Sequence, residues 1–114
     1  YALCDARVID VRAGGWWGKA PTGNVAIGDG IIQLECLTDA GPFKTGMHFG
    51  YGHAEKAVVR VGQVVKAGAK LGHAGFANAW HVHFMANDGS EGLRGVGDQD
   101  PWPFVAYAVA RGEV

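Results

Sequence analysis

The stretch Arg7-Val8-Ile9-Asp10-Val11-Arg12 alternates polar and apolar residues with a period close to two. Side chains of a β-strand point alternately to its two faces, so this pattern predicts a strand with one face in the core. Similar short patterns predict further strands at residues 24–27, 31–37, 47–53, 58–61, 64–65 and 80–85. The one helical pattern covers residues 103–110, which begin with proline and stop before Gly112. The order of these patterns predicts an all-β fold with a short C-terminal helix.

The composition fits one small globular domain. Of the 114 residues, 48% are hydrophobic and 18% are charged, as in a folded chain with a single core. The formal net charge of −1 gives no basic excess for nucleic acid, and no apolar stretch approaches the ~18 residues of a membrane span. The 19 glycines indicate tight turns between short strands. A strand-rich chain of this length must curl into a barrel or stack its sheets to protect its edges.

Three of the five histidines, His53, His81 and His83, are candidates for metal or acid–base chemistry. His81-Val82-His83 is a His-x-His step, and on one strand its imidazoles would share a face, roughly 6.5 Å apart at ~3.3 Å per residue. Such a pair can approach one zinc ion, or one imidazole can bind the metal while its neighbour transfers a proton. Val82 and Phe84 would then point into the core. The same spacing also occurs by chance on exposed strands, and it identifies no third ligand.

The positions of the other two histidines, His48 and His73, do not suggest a role in metal or acid–base chemistry. His48 lies five positions before His53, so strict alternation places it on the opposite face of the strand. His73 lies in a glycine-flanked segment, residues 72–75, which we expect to form a surface turn.

The cysteines give no sign of a reactive thiol. Cys4 and Cys36 would permit one disulfide but do not require it, and we expect two separate small apolar residues. No Cys-x-x-Cys is present. The sequence also lacks a Gly-x-Ser-x-Gly motif and a phosphate-binding Gly-Lys-Ser/Thr. Among the aromatic residues, Trp80 is next to His81, and we expect it at the edge of a groove.

Six segments in order resemble motifs of the M23 (lysostaphin/LytM-type) zinc metallopeptidases, which cut peptide cross-links in bacterial cell walls. The resemblance spans nearly the whole chain. The segments, each with its family pattern, are Tyr1-Ala2-Leu3-Cys4-Asp5-Ala6 (V-x-A-x-x-D-G), residues 23–27 (G-N-x-V-x-I), Tyr51-Gly52-His53 (Y-x-H), residues 61–72 (V-G-Q-x-V-x-x-G-x-x-I-G), His81-Val82-His83-Phe84 (H-L-H-F) and Asp100-Pro101 (D-P).

The resemblance implies a role for each histidine of the set. The second histidine of the family's His-x-His motif binds zinc, so His83 would be the metal ligand, with Zn²⁺ as the cofactor. His81 and His53 would be catalytic residues beside the metal. Three further residues would line the substrate groove: Tyr51, Asn78 and Trp80.

The resemblance also implies an architecture and a setting. Residues 1–114 would form a single, compact antiparallel β-sandwich or barrel-sandwich. Its activity would be hydrolysis of stem or cross-bridge peptides of bacterial peptidoglycan, at an extracellular or cell-envelope location, by a secreted or phage-delivered protein. The compact form, with Asp100-Pro101-Trp102-Pro103-Phe104 near its end, is similar to M23 domains of phage lysins and tail-associated proteins of actinobacterial viruses.

Two departures from the family pattern leave alternatives open. The family's other zinc ligands, the His and Asp of an H-x-x-x-D motif, lie upstream of the segment that matches Tyr1–Ala6, and Asp5 matches a turn residue instead. Either those ligands precede Tyr1, or this is a non-catalytic wall-binding or regulatory relative. In addition, the loop at residues 75–80 is shorter than the family's and carries a large aromatic residue.

A carrier domain of the lipoyl or biotinyl type is a third hypothesis, because residues 61–72 have the turn pattern of such barrel-sandwich domains. That function needs an acceptor lysine in a hairpin such as Met-Lys-Met or Asp-Lys. None of the lysines is so flanked, which disfavours the hypothesis.

Overall fold

A computed structural model of the chain describes residues 1–12, 30–76, 80–90, 92 and 99–112. For Phe76, Trp80 and His81 the description covers the backbone alone. The described elements are β1 (Ala6–Arg12), β2 (Gly30–Cys36), β3 (His48–Glu55), β4 (Val64–Val65), β5 (His73–Phe76), β6 (Trp80–His81), β7 (His83–Asn87) and α1 (Trp102–Ala110).

The seven strands form one antiparallel sheet that curls into a half-barrel. The order is β4-β1-β2-β3-β5-β6, and β7 also pairs with β3. The edge of β3 that faces away from β2 is therefore shared, because residues 48–52 pair with β7 and residues 54–55 pair with β5. This architecture confirms the prediction of a mostly β chain with a short helix near its C-terminal end.

The core lies on one face of this sheet. Val8, Leu34, Phe49 and Ala86 are register partners in a row across β1, β2, β3 and β7, and all four are buried. Since strand side chains alternate between faces, this row fixes which face of each strand is apolar. The helix covers part of that face through Phe104, whose ring centre is 4.8 Å from that of Phe43.

The helix α1 has nine residues, and within the described ranges no helix has the length and apolar character needed to cross a membrane. The helix begins at Trp102, between Pro101 and Pro103, in agreement with the preference of proline for the first helical turn. Its C-cap is Arg111, and the following residue, Gly112, has a positive φ. The predicted range 103–110 is thus confirmed to within one residue.

Three element predictions were wrong. Residues 57–60 form no strand, and Val58 makes one backbone hydrogen bond, to the carbonyl of Leu71, before a turn at residues 61–62. The segment around His73 is strand β5 instead of a turn, because β3 offers it a free edge beyond β7. The predicted strand 80–85 is broken at Val82 into β6 and β7. The predicted strand 24–27 lies outside the described residues.

Candidate functional site

The candidate site is built on a β-bulge in β3. Gly30 pairs with Ala54 while Ile32 pairs with Tyr51, so two residues of β3, Gly52 and His53, stand opposite the single residue Ile31. His53 has a φ of 57°, in the left-handed region that non-glycine residues rarely occupy. A bulge redirects the side chain that it carries, and such features concentrate next to functional sites.

His53 and His83 lie together at this bulge. His83 is the first residue of β7, is exposed, and is the register partner of Gly52. The ring centres of His53 and His83 are 6.4 Å apart, with the planes inclined at 63°. The structure therefore brings together two of the three histidines that the sequence singled out.

The prediction that His81 and His83 lie on one strand is wrong. His81 belongs to β6 and pairs with Gly75 of β5, whereas His83 belongs to β7 and pairs with β3. Val82 lies between the two strands and is 41% exposed, so it does not point into the core as predicted. Phe84 does contact the core, with its ring centre 5.7 Å from that of Tyr51. For His81 the structure describes the backbone and not the side chain.

Of the predicted groove residues, Tyr51 is the one whose side chain is described. Its ring packs against Phe49 and Phe84, and its hydroxyl donates a hydrogen bond of 2.8 Å to the backbone carbonyl of Tyr1. Tyr51 thus joins the N-terminal segment to the core beside the site. Trp80 is the first residue of β6, where its backbone pairs with Phe76, and Asn78 lies outside the described residues.

His48 is a buried histidine with structural partners. Its Nδ1 is 3.0 Å from the carbonyl oxygen of Gly92 and 3.3 Å from Nε2 of Gln33, and its Nε2 is 3.9 Å from a carboxylate oxygen of Glu35. Gln33 donates to the same Gly92 carbonyl at 3.1 Å. Sequence reasoning did not identify this buried polar cluster. The available signal was a glutamine inside the apolar run of β2.

Asp5 binds the backbone of a turn. Its carboxylate accepts a hydrogen bond from the backbone N–H of Ala67 at 3.0 Å, and its other oxygen is 3.5 Å from Nζ of Lys66. The hydrogen bond from Ala67, with the nearby lysine, lowers the pKa of Asp5 below its usual value. Asp5 therefore fixes the turn after β4 to the N-terminal segment.

The metal-binding capacity of the described residues is limited to pairs. A catalytic zinc usually has three protein ligands, and within the described ranges no three His, Cys, Asp or Glu side chains are grouped to hold a metal. His53 and His83 are nitrogen donors of the type that zinc prefers. Comparison of the chain with models of protein families, with curated proteins and with solved structures found no match in any of the three.

Proposed function

We propose that this chain is the catalytic domain of a zinc-dependent endopeptidase that hydrolyses peptides of bacterial peptidoglycan. The observation that carries the proposal is the approach of His53 to His83 at the bulge of β3. These two residues are 30 positions apart in sequence, and each lies in a segment that resembles an M23 motif. The alternative is a non-catalytic peptidoglycan-binding or regulatory domain.

The distance between the two imidazoles fits a metal-ligand role for His83 and an acid–base role for His53. Two imidazoles bound to one zinc at ~2.0–2.1 Å have ring centres roughly 5 Å apart. The separation of 6.4 Å is longer, and it suits one ligand with an acid–base group beside it. His83 would be that ligand, and the remaining ligands would come from residues outside the described ranges.

Each histidine would contribute a defined chemical property. The neutral imidazole of His83 would hold the metal through one ring nitrogen. When bound, zinc lowers the pKa of a water molecule towards ~7 and polarises the scissile carbonyl. His53 would accept or donate a proton beside the metal, and the family resemblance gives His81 the same task. The bulge would serve this chemistry by fixing the direction of His53.

The N-terminal segment lies beside the candidate site. Tyr1 is held by Tyr51, which is two residues from His53 and is the register partner of Phe84, the neighbour of His83. Residues upstream of Tyr1 would therefore begin at the same end of the β3–β7 pair. A His and an Asp four positions apart in such a segment would supply the missing ligands that the family pattern requires.

The proposal also covers the architecture of the domain and the position of its substrate groove. We propose an M23-peptidase-like domain whose curled sheet carries the substrate groove, acting on wall peptides outside the membrane. The antiparallel half-barrel and the order of the six motifs support it. An experimental structure of the protein with a bound wall peptide would test the groove. Contacts of that peptide with Tyr51, Asn78 and Trp80 are expected, and a peptide bound away from His53 would contradict the proposal.

Zinc content and wall hydrolysis test the function directly. The experiment uses the longest natural form of the protein, including any residues upstream of Tyr1. We expect about one zinc per chain and release of peptide amines from purified peptidoglycan. His83→Ala should lose zinc, whereas His53→Ala should keep zinc and lose hydrolysis by roughly 10²–10⁴-fold.

His73→Ala is the matched control, because His73 is an exposed histidine on the neighbouring strand β5. It should change neither zinc content nor hydrolysis. A protein without zinc, or a His83→Ala variant with unchanged hydrolysis, would refute the proposal. Peptidoglycan binding that survives chelation, with no hydrolysis, would support the non-catalytic alternative.

A further inference from the structure

The two cysteines meet inside the core. Cys4 lies in the N-terminal segment and Cys36 is the last residue of β2, 32 positions later, yet their Sγ atoms are 3.1 Å apart. Each side chain is 1% exposed. Both are free thiols in this structure, as expected from the sequence. They are in contact because the antiparallel pairing of β1 with β2 brings the end of β2 back to the N-terminal segment.

The backbone around both thiols is fixed. Ala6, two residues after Cys4, is the register partner of Cys36, and the N–H of Leu37 donates to the carbonyl of Asp5 at 2.9 Å. The N–H of Cys36 also donates to the carbonyl of Met47 at 2.8 Å. Paired backbone therefore keeps the two segments that carry the thiols next to each other.

We infer that Cys4 and Cys36 form an intramolecular disulfide under oxidising conditions, which covalently locks the N-terminal segment to the end of β2. A disulfide requires sulfur atoms at about 2.05 Å, so the two sulfurs need to approach by roughly 1 Å. Each thiol loses its hydrogen, one S–S bond forms, and two electrons and two protons pass to the oxidant. With oxidised glutathione as oxidant, its own S–S bond breaks and two glutathione thiols are released.

Burial determines when this reaction occurs. The hydrogen bond with Cys4, together with burial, strongly raises the pKa of the Cys36 thiol, so the folded reduced protein holds little reactive thiolate. The bridge therefore forms during folding or through local opening. Once formed, it is shielded from external reductants by the same core.

The bridge would fix a segment that already has many contacts. The backbone of Ala2 exchanges hydrogen bonds of 2.8 Å with Gly68 and Ala69, and Asp5 binds the N–H of Ala67. The lock would join this segment to β2 by a covalent bond as well. This inference requires neither zinc nor a wall substrate, so it stands or fails independently of the proposed function.

The test refolds the full chain in a glutathione redox buffer and then examines the product. We expect an intact mass lower by two hydrogens, no free thiol after denaturation, and a peptide linking Cys4 to Cys36 in a non-reducing digest. The same chain refolded in the presence of reductant should have a Tm lower by about 10 °C, given the loop of 32 residues.

The double variant Cys4→Ala/Cys36→Ala is the control, and its Tm should not respond to reductant. Two titratable thiols in the wild-type chain after oxidative refolding would overturn the inference without reference to any variant. An equal Tm for the oxidised and reduced wild-type forms would overturn the proposed lock.

Discussion

His53 has an unfavourable backbone conformation at the point where β3 changes partner from β7 to β5. A left-handed φ costs an L-residue about 1–2 kcal/mol relative to glycine. Histidine tolerates this region better than most residues, but it has no conformational advantage over glycine there. Under the proposed function, the imidazole of His53 next to His83 would account for a histidine at this position.

Substitution of His53 should separate conformation from chemistry. We expect His53→Gly to stay within about 1 kcal/mol of the wild-type free energy of unfolding, because relief of the φ cost offsets the higher chain entropy of glycine. His53→Val should lose about 2 kcal/mol, because a β-branched residue is poorly tolerated at this φ. Urea titration measures both values.

Lys56 provides the matched control, since its φ of 50° is also left-handed and it lies just after the same strand. Lys56→Gly should preserve both stability and wall hydrolysis, whereas His53→Gly should preserve stability and lose wall hydrolysis. A His53→Val variant as stable as the wild type would contradict the importance of the backbone conformation.

At the scale of elements, α1 stabilises the sheet through a small number of aromatic contacts. Phe104 is buried, with its ring centre 4.8 Å from that of Phe43 and 6.4 Å from that of Phe84. Tyr107 adds a contact with Phe43 at 6.1 Å. Because Phe84 is the neighbour of His83 in β7, the helix also supports the strand that carries the proposed metal ligand.

Removal of the Phe104 ring should therefore be costly. We expect Phe104→Ala to lower the free energy of unfolding by about 3–5 kcal/mol, the usual range for a buried phenylalanine. Trp102→Ala, on the same helix, removes a side chain that is 70% exposed and should change stability by less than about 0.5 kcal/mol. Urea unfolding measures the free energy of unfolding of both variants. Equal decreases in this free energy would contradict the packing of Phe104 against the sheet.

Elements with a strong local pattern could be predicted from the sequence, and those defined by their partners could not. The alternation around Val8 and the alanine-rich run before Gly112 identified β1 and α1 because side-chain period is a local property. Strand β5 has a weak pattern and exists because β3 leaves an edge for it. The break at Val82 has the same origin, since the residues on either side pair with different strands.

At the scale of the whole molecule, the residues of the candidate site could be predicted from the sequence, but the contacts between them could not. Residue type and motif order selected His53 and His83, but the extra residue of the bulge, which brings them together, leaves no trace in the alternation. The contact between Cys4 and Cys36 was equally hidden, because it depends on the pairing of β1 with β2 across 32 positions. Distances across the sheet require the register, which composition and spacing do not supply.

Three carboxylates distributed over the molecule link its stability to acid. Asp5 accepts a backbone hydrogen bond from Ala67, Asp39 accepts backbone and hydroxyl hydrogen bonds from Thr45, and Asp88 does the same with Ser90. These hydrogen bonds lower the pKa of each carboxyl below its usual 3.8. The folded state therefore binds fewer protons than the unfolded state around that pH, and its stability rises with pH there.

The stability contributed by these carboxylates should be fully present above pH 3.8 and should be lost as the pH falls through their lowered folded-state pKa values. We expect the Tm of the wild-type chain to fall in that acidic range. In the triple variant Asp5→Asn/Asp39→Asn/Asp88→Asn, the amide oxygens can still accept the same N–H groups but do not titrate, so the fall should be smaller. Thermal unfolding followed by circular dichroism from neutral to acidic pH measures both curves. Parallel curves would mean that the three turn carboxylates do not couple folding to protonation.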